Sequence, residues 1–491
     1  MSLFKNVFKQ TLIYGLATVL PKMFTFLLVP LYTNILQKDI YGKISEIFAY
    51  IIFFNVVLAY GMETSFFRFY NTETNKKLVV STSTISILYS TLFLLIPALL
   101  YRRFLSIHFE IEIEYISYII WILIFDALVI IPFSKLRANQ KAISYSILKI
   151  SNVIINLLFN IFFLIYLPKI IETKPNGFLS NFYFQDFQIG YIFISNIISS
   201  LITFILLLPN YFKMKWHFDF HLWRRMMIYG LPILIAGIAF AINEQFDKIL
   251  LAKLLPSSVA ENEVGVYSAC YKLGLFMVLY RTAYTLGIEP FFFNHASSEN
   301  APQTYAVITK YFVIIGSVIF LFVIVFADAI KIIMIKDSSY WVAMKVVPLI
   351  ILANFFLGIY TNLSIWYKLT NKTYIGACIS TIGAVVTLVL NFLLIPKIGY
   401  LGSAIATISA YAIMMLISYY LGNKYYPIPY EKNKIIGYLI LSVLFSSISF
   451  YGFRENYYIG VSLLLIYIYT VCYNEKMLLN LILRNLKMKL K

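Results

Sequence analysis

Apolar stretches of about 20 residues, each long enough to cross a bilayer as a helix, recur along almost the whole chain. Lipid offers no hydrogen-bond partner to a free backbone amide, and these stretches lack the short polar–apolar alternation of a membrane strand. Helices are therefore expected throughout. Fourteen spans are predicted, at residues 11–35, 43–65, 79–101, 115–133, 142–167, 188–209, 226–252, 264–290, 305–328, 341–366, 373–395, 401–421, 435–452 and 457–473. The predicted fold class is an all-α polytopic membrane protein.

The polar content of the chain argues against a soluble enzyme. Charged residues make up 13% of the 491 residues, whereas soluble domains carry about 25%. The predicted connections are too short to hold a catalytic domain, and the chain has no GxxxxGK[ST] phosphate-binding loop. Cys270, Cys378 and Cys472 fall in separate spans, which favours neither a disulfide nor a metal site. We expect a transporter with no cofactor, driven by a partner protein or by a gradient of Na⁺, H⁺ or substrate.

Membrane topology explains the net charge of +18. When the connections are assigned to alternating sides, more than half of the 40 Lys and Arg residues fall on the side of the N-terminus. Such a bias is typical of cytoplasmic connections, and an even number of spans returns the C-terminus to the same side. We expect both termini in the cytoplasm, with a basic amphipathic tail from Lys476. The excess positive charge then faces anionic lipid headgroups rather than nucleic acid.

The sequence also contains an internal duplication, because four motifs recur in the same order in its two halves. They are Ile13–Leu16 with Ile228–Leu231, Gly61–Glu63 with Gly287–Glu289, Asn160 with Asn391, and Gly190–Tyr191 with Gly399–Tyr400. Equivalent spans are six apart, so the two halves share one orientation and are expected to be related by an axis along the membrane normal. This predicts an N-lobe at 1–212, a C-lobe at 213–424 and two additional spans within 425–491. Spans 1, 2, 7 and 8 are expected to line a substrate path between the lobes.

The duplicated halves, the opening IYGLATVLPKMFTFLLVPLYTNIL, the loop at 136–154 and the segment at 388–407 resemble polysaccharide transporters of the multidrug/oligosaccharidyl-lipid/polysaccharide exporter superfamily. The resemblance covers nearly the whole chain. It implies a V-shaped pair of lobes around a central cavity, and alternating access. It also implies flipping of undecaprenyl pyrophosphate-linked oligosaccharide to the outer leaflet of the bacterial cytoplasmic membrane, for O-antigen, capsule or exopolysaccharide. Membrane lipids, a polysaccharide polymerase and glycosyltransferases are the other partners implied.

Ionisable groups at membrane depth are the candidate site residues, because each costs at least roughly 2.5 kcal/mol near the bilayer centre and usually faces a cavity. The candidate bases are Lys22, Lys248, Lys272 and Arg281, and the candidate acids and amide are Glu63, Glu244, Asp247, Glu289 and Asn55. The repeat aligns Glu46, Asn55 and Glu63 of the second span with Lys272, Arg281 and Glu289 of the eighth.

We expect the four bases to give the cavity a positive potential for a pyrophosphate. Arg281 is the expected direct ligand, because its donor fork suits phosphate oxygens. Glu63 and Glu289 would flank an inner gate. The alternative is that the charges are ion pairs that fix helix packing, either Glu244 with Lys248, one helical turn apart, or Glu289 with Arg281.

The sequence leaves three other functions to be considered. A multidrug or cation exporter of the same superfamily would favour carboxylates and aromatic rings in its cavity, whereas the deep bases here match or outnumber the deep acids. A membrane polymerase or ligase is expected to carry a large outer loop with catalytic Arg or His, and the longest predicted outer loop, 168–187, has neither. A scaffold for glycosyltransferases would leave the charges within the spans unexplained.

Overall fold

The computed structural model describes residues 2–295, 298–370 and 372–475, and these residues form a bundle of long helices without a strand. The long helices, numbered in chain order, are α1 (Ser2–Ile35), α2 (Lys38–Thr72), α3 (Lys76–Leu100), α4 (Ile113–Ala138), α5 (Ala142–Thr173), α6 (Gln188–Phe212), α7 (Phe220–Leu254), α8 (Ser257–Tyr271 and Leu275–His295, joined by the 3₁₀ turn Lys272–Gly274), α9 (Ala301–Val325), α10 (Ser338–Leu369), α11 (Thr373–Ile398), α12 (Tyr400–Tyr425), α13 (Lys432–Gly452) and α14 (Tyr457–Asn474). Short helices at Arg102–Phe109 and Ala327–Met334 lie in the connections.

Each predicted span overlaps one of these helices. Among the described residues, twelve helices are long and apolar enough to cross a membrane, which confirms an all-helical, multi-pass membrane protein. The other two are α1, whose apolar part is the shorter segment Val19–Ile35, and α8, which carries three predicted site residues along its length. The count of fourteen spans therefore stays a prediction. The predicted basic tail from Lys476 lies outside the described residues.

The same helix pairings occur in the two predicted halves, here called the N half (residues 1–212) and the C half (residues 213–424). In the N half α1 packs on α5, and α6 packs on both α4 and α5. In the C half α7 packs on α11, and α12 packs on both α10 and α11. Helices six apart thus have equivalent neighbours, as expected of duplicated halves. The boundaries at 212 and 424, and the central cavity, remain predictions.

The halves meet where α2 packs on α7 and α8, and where α1 packs on α8. Two close approaches depend on glycine. A Cβ atom on Gly42 of α2 would lie 1.9 Å from the carbonyl oxygen of Glu261 in α8, and one on Gly61 would lie 2.3 Å from the carbonyl oxygen of Gly230 in α7. Gly61 also has a positive φ of 72°, which glycine adopts most readily. Backbone therefore touches backbone between the halves.

Helices α13 and α14 pack on α9, and ion pairs join them to the C half near both ends. The end of the bundle that holds connections 36–37 and 255–256 is the predicted outer face, and the opposite end is the predicted inner face. At the inner face Lys310 of α9 pairs with Glu431 at 2.6 Å and with Glu475 at 3.0 Å. At the outer face Arg454 lies 3.0 Å from Asp328. The terminal pair is thus fastened to α9 and to the connection that follows it.

Candidate functional site

Predicted site residues from α1, α7 and α8 come together where the two halves meet. Lys22 of α1 donates a hydrogen bond from Nζ to Thr282 Oγ1 of α8, at 3.1 Å. Thr282 follows Arg281, whose Nη2 lies 3.6 Å from Glu244 Oε1 of α7. Glu244 also accepts a hydrogen bond of 3.1 Å from the Tyr411 hydroxyl of α12. Glu244 therefore holds the Arg281 guanidinium loosely, and Lys22 of the N half places a second base beside them.

Lys248 and Asp247 form a separate, buried pair. The Lys248 ammonium lies 2.9 Å from Asp247 Oδ1, and the Tyr267 hydroxyl donates to Asp247 Oδ2 at 2.8 Å. The side chains of Lys248 and Asp247 are 9% and 1% exposed. The predicted alternative pair, Glu244 with Lys248, is wrong. Lys248 reaches only the Glu244 backbone carbonyl oxygen, at 3.5 Å, because the neighbouring Asp247 holds the ammonium while Arg281 takes the carboxylate.

Lys272 occupies the 3₁₀ turn that interrupts α8. Its side chain is half-buried, and within the described part of the chain it has neither a hydrogen bond nor an ion pair. A short 3₁₀ stretch inside a long helix often marks a hinge. The structure therefore places an uncompensated base at an irregular point of the helix that also carries Arg281.

Glu63 and Glu289 each pair with a base at the predicted inner face. Glu63 of α2 lies 2.7 Å from Arg137 of α4, and Glu289 of α8 lies 2.6 Å from Lys368 of α10. These partners are six helices apart, so the duplication includes the ion pair as well as the acid. The first pair lies within the N half and the second within the C half. The predicted alternative pair of Glu289 with Arg281 is wrong, because Glu289 pairs with Lys368 instead. Their role at a gate stays a prediction.

Asn55 interacts within the N half. Its Nδ2 donates to Asp126 Oδ2 of α4 at 3.2 Å, and Ser200 of α6 donates to Asp126 Oδ1 at 2.8 Å. Sequence reasoning placed Asn55 in the cavity wall and missed Asp126. The signal for Asp126 was available, because it is an acid near the middle of an otherwise apolar predicted span.

The two repeated asparagines are buried hydrogen-bonding centres. Asn160 of α5 accepts from the Tyr32 hydroxyl of α1 at 2.8 Å, and Asn391 of α11 accepts from Ser403 of α12 at 2.9 Å. Both asparagines are fully buried. Their amides therefore fix helix packing inside each half, which explains why the repeat retains them.

Among the described residues no cluster of three or more His, Cys, Asp or Glu side chains has the arrangement of a metal site. The three cysteines are unbridged. Coupling to Na⁺ or H⁺ stays a prediction.

Comparisons with known proteins give a family and a fold. A family model described as polysaccharide biosynthesis protein matches residues 7–292. The Lsg locus putative protein 1 of Haemophilus influenzae is 22% identical over 293 residues, which are 59% of this chain and 66% of that protein, or slightly less than two thirds of its length.

Two solved structures share the all-helical fold. The lipid II flippase MurJ, in an inward closed conformation, aligns with 94% of this chain and 99% of its own at 15% identity, with a TM-score of 0.72. An outward-facing multidrug resistance MATE family transporter of the MOP superfamily aligns with 85% of this chain and 95% of its own at 13% identity, with a TM-score of 0.62. The chain therefore has the architecture that these transporters have in common.

Proposed function

The chain belongs to the polysaccharide biosynthesis protein family, and from that membership we propose that it is a flippase for undecaprenyl pyrophosphate-linked oligosaccharide. It would move the repeat unit from the inner to the outer leaflet of the bacterial cytoplasmic membrane by alternating access, for O-antigen, capsule or exopolysaccharide synthesis. No bond is made or broken in this process. A polymerase and glycosyltransferases would act on the product and supply the substrate.

One observation carries the proposal: Lys22 and Arg281 lie against the carboxylate of Glu244, and Lys272, nine residues before Arg281 on α8, has no partner among the described residues. This leaves an excess of positive charge on the facing surfaces of α1, α7 and α8. A pyrophosphate is a polyanion, and guanidinium and ammonium groups are its usual protein ligands. Lys248 is neutralised by Asp247, so we assign it to packing rather than to binding.

The Arg281–Glu244 contact suggests how binding proceeds. Its separation of 3.6 Å exceeds the roughly 2.7–2.9 Å of a good charge-assisted hydrogen bond, so the pair is held loosely. A phosphate oxygen would replace Glu244 as the partner of Arg281, while Tyr411 continues to donate to the released carboxylate. Glu244 would then keep Arg281 oriented when no substrate is bound.

We expect Arg281→Gln to reduce flipping by about tenfold or more, because a hydrogen bond to a charged group contributes about 1.5–3 kcal/mol. The matched control is Arg102→Gln, which removes an exposed arginine whose guanidinium donates a hydrogen bond to Ser117 within the N half, at 3.2 Å. Surface polysaccharide is measured in cells that carry each variant as their only copy. An Arg281→Glu protein that inserts normally and supports full surface polysaccharide would remove Arg281 as the ligand.

The proposed reaction is separated from drug export by the lipid that accumulates. When the protein is removed, undecaprenyl-linked oligosaccharide should build up at the cytoplasmic face of the membrane. If this lipid does not accumulate and the cells instead become sensitive to cationic drugs, the exporter is the correct function. Reporter fusions at the two termini test the proposed cytoplasmic location of both.

A further inference from the structure

Ion pairs join the two halves at the predicted outer face. Lys43 of α2 lies 3.1 Å from Glu261 of α8, and Lys253 at the end of α7 lies 2.7 Å from Glu110 in the α3–α4 connection. Each pair has one member in the N half and one in the C half. We call these four residues the outer seam. The hydrogen bond from Lys253 holds the pKa of the exposed Glu110 carboxyl below its ordinary value, so this acid stays charged near neutral pH.

Directly beneath the outer seam, α2 and α8 touch through glycine. A Cβ on Gly265 would lie 1.9 Å from the Lys38 carbonyl oxygen, just as one on Gly42 would meet the backbone of α8. Glu46 lies one helical turn after Gly42, on the same face of α2. It is therefore carried into the contact between the halves.

Glu46 is buried there without a partner. The residue is 4% exposed, and Oε1 has no hydrogen bond within the described part of the chain. The two nearby lysines are already engaged, Lys43 with Glu261 and Lys253 with Glu110. Burial makes an ionised carboxylate costly here, by several kcal/mol for an uncompensated ion. Lys43 and Lys253 offset only part of this cost, because each already pairs with another acid. The neutral acid pays only about 1–3 kcal/mol for its unsatisfied oxygen.

We propose that Glu46 is a proton-binding site of the transport cycle, neutral while the outer seam is closed and ionised when the seam opens to water. The inference rests on the proposed alternating access, because only a parting of the halves exposes the site. The O–H bond of Glu46 breaks when water reaches it, and the proton leaves to the outer solution. Closing the seam takes one proton back from that solution.

The difference in bound protons between the closed and open seam sets the direction and the size of the pH effect on opening. Because the closed seam binds one more proton than the open seam, raising the pH favours opening. The ratio of open to closed molecules rises by at most about tenfold per pH unit. The experiment must separate the response of Glu46 from that of the other titratable groups around it. These are Lys43 and Tyr50 on α2, Glu110 in the α3–α4 connection, Lys253 on α7 and Glu261 on α8. His108 lies two residues before Glu110 and is treated with them.

The experiment measures the distance across the outer face between spin labels at Arg103→Cys and Lys397→Cys. Both positions are exposed and lie in opposite halves. The native cysteines are replaced by serine, and His108 by glutamine, in every protein. The labelled protein is studied in lipid nanodiscs between pH 5 and 8 without added substrate. We expect a longer distance to gain population as the pH rises.

Two variants separate the proton site from the ion pairs. Glu46→Gln keeps the shape of the side chain but cannot ionise, so it should stay closed at every pH. Glu261→Gln removes the Lys43 partner and should shift the population towards opening at every pH. Because the freed Lys43 can then compensate an ionised Glu46 in the closed seam, the response to pH should weaken. A wild-type distance distribution that does not change with pH would overturn the proposal, as would a Glu46→Gln protein that still responds.

This measurement is independent of the substrate. If the seam responds to pH through Glu46 but cells lacking the protein accumulate no lipid-linked oligosaccharide, the proton site stands and the proposed cargo fails. If the lipid accumulates but the seam ignores pH, the reverse holds.

Discussion

Single atoms decide how closely the two halves approach. At Gly42 and Gly265 the missing Cβ atoms leave room for a backbone carbonyl of the opposite helix. This contact brings Glu46 out of water, and it lets Lys43 reach Glu261. The burial of one carboxyl group therefore depends on two residues that have no side chain.

Gly42→Ala tests this dependence. The added methyl group cannot fit 1.9 Å from a carbonyl oxygen, so the helices must separate, at an expected cost on the order of 1–3 kcal/mol. The control is Gly437→Ala in α13, where a Cβ would have nothing within 4 Å and should be neutral or stabilising. Thermal unfolding in detergent measures both. Equal melting temperatures for Gly42→Ala and wild type would show that the glycine contact is not close in solution.

The types of residue at the site were predictable from the sequence, but their partners were not. Hydropathy places Lys22, Glu244 and Arg281 within membrane spans, and each was predicted as a site residue. Which acid meets which base depends on the rotation and relative height of neighbouring helices, to about one turn. Asp247 and Glu244 are both within reach of Lys248, and only packing against α8 and α12 assigns the first to Lys248 and the second to Arg281. Glu46 entered the sequence argument only through its alignment with Lys272.

At the scale of helices, ion pairs tie α13 and α14 to the C half. Lys310 is 5% exposed and lies between Glu475, which is 8% exposed, and the more accessible Glu431. Removing one member of a buried pair leaves an uncompensated charge, whereas removing both leaves none. The contribution of this cluster is therefore best measured with paired substitutions.

Lys310→Met should destabilise the protein by about 3 kcal/mol, because Glu475 then keeps only the half-exposed Lys434, at 3.4 Å, as a base. The double variant Lys310→Met/Glu475→Leu should recover most of that loss. Lys434→Met, which removes an exposed base, should cost less than about 1 kcal/mol. Thermal unfolding and proteolysis of the 426–431 connection report the three effects. A double variant as unstable as Lys310→Met alone would contradict the assignment.

The ion pair of Asp328 with Arg454 at the predicted outer face makes the stability of the protein depend on pH. Asp328 lies in the connection after α9. Burial alone would raise the pKa of its carboxyl, but hydrogen bonds from Arg454 and Lys331 outweigh burial and hold the pKa below its ordinary value. A lowered folded-state pKa stabilises the protein above the unfolded-state pKa, and this stability is lost as the pH falls through the folded-state value.

Wild type should therefore melt at a higher temperature than Asp328→Asn at pH 6, and the difference should shrink below roughly pH 4. Melting curves of the two proteins between pH 3 and 7 check this. A difference that grows as the solution becomes more acidic would have the wrong sign.

At the scale of the whole molecule, the fold followed from two patterns. Recurring apolar stretches predicted the helices, and the repeated motifs predicted that helices six apart have equivalent neighbours. Both patterns are visible in the sequence, because lipid requires apolar residues along each span and duplication repeats the motifs at equivalent positions. The irregular points were not predictable, because the 3₁₀ turn at Lys272–Gly274 and the left-handed residues Tyr60 and Gly61 depend on contacts made after the helices pack.

The two ends of the α13–α14 pair are held by different residues, Lys310 at one face and Asp328 at the other. Helices fixed at both ends do not tilt independently of α9. Most of their surface is not buried by other helices, so it adds to the area that the C half presents to lipid. Viscous drag is therefore unequal on the two sides of the molecule. During any rocking motion the C half should therefore rotate less within the membrane than the six-helix N half.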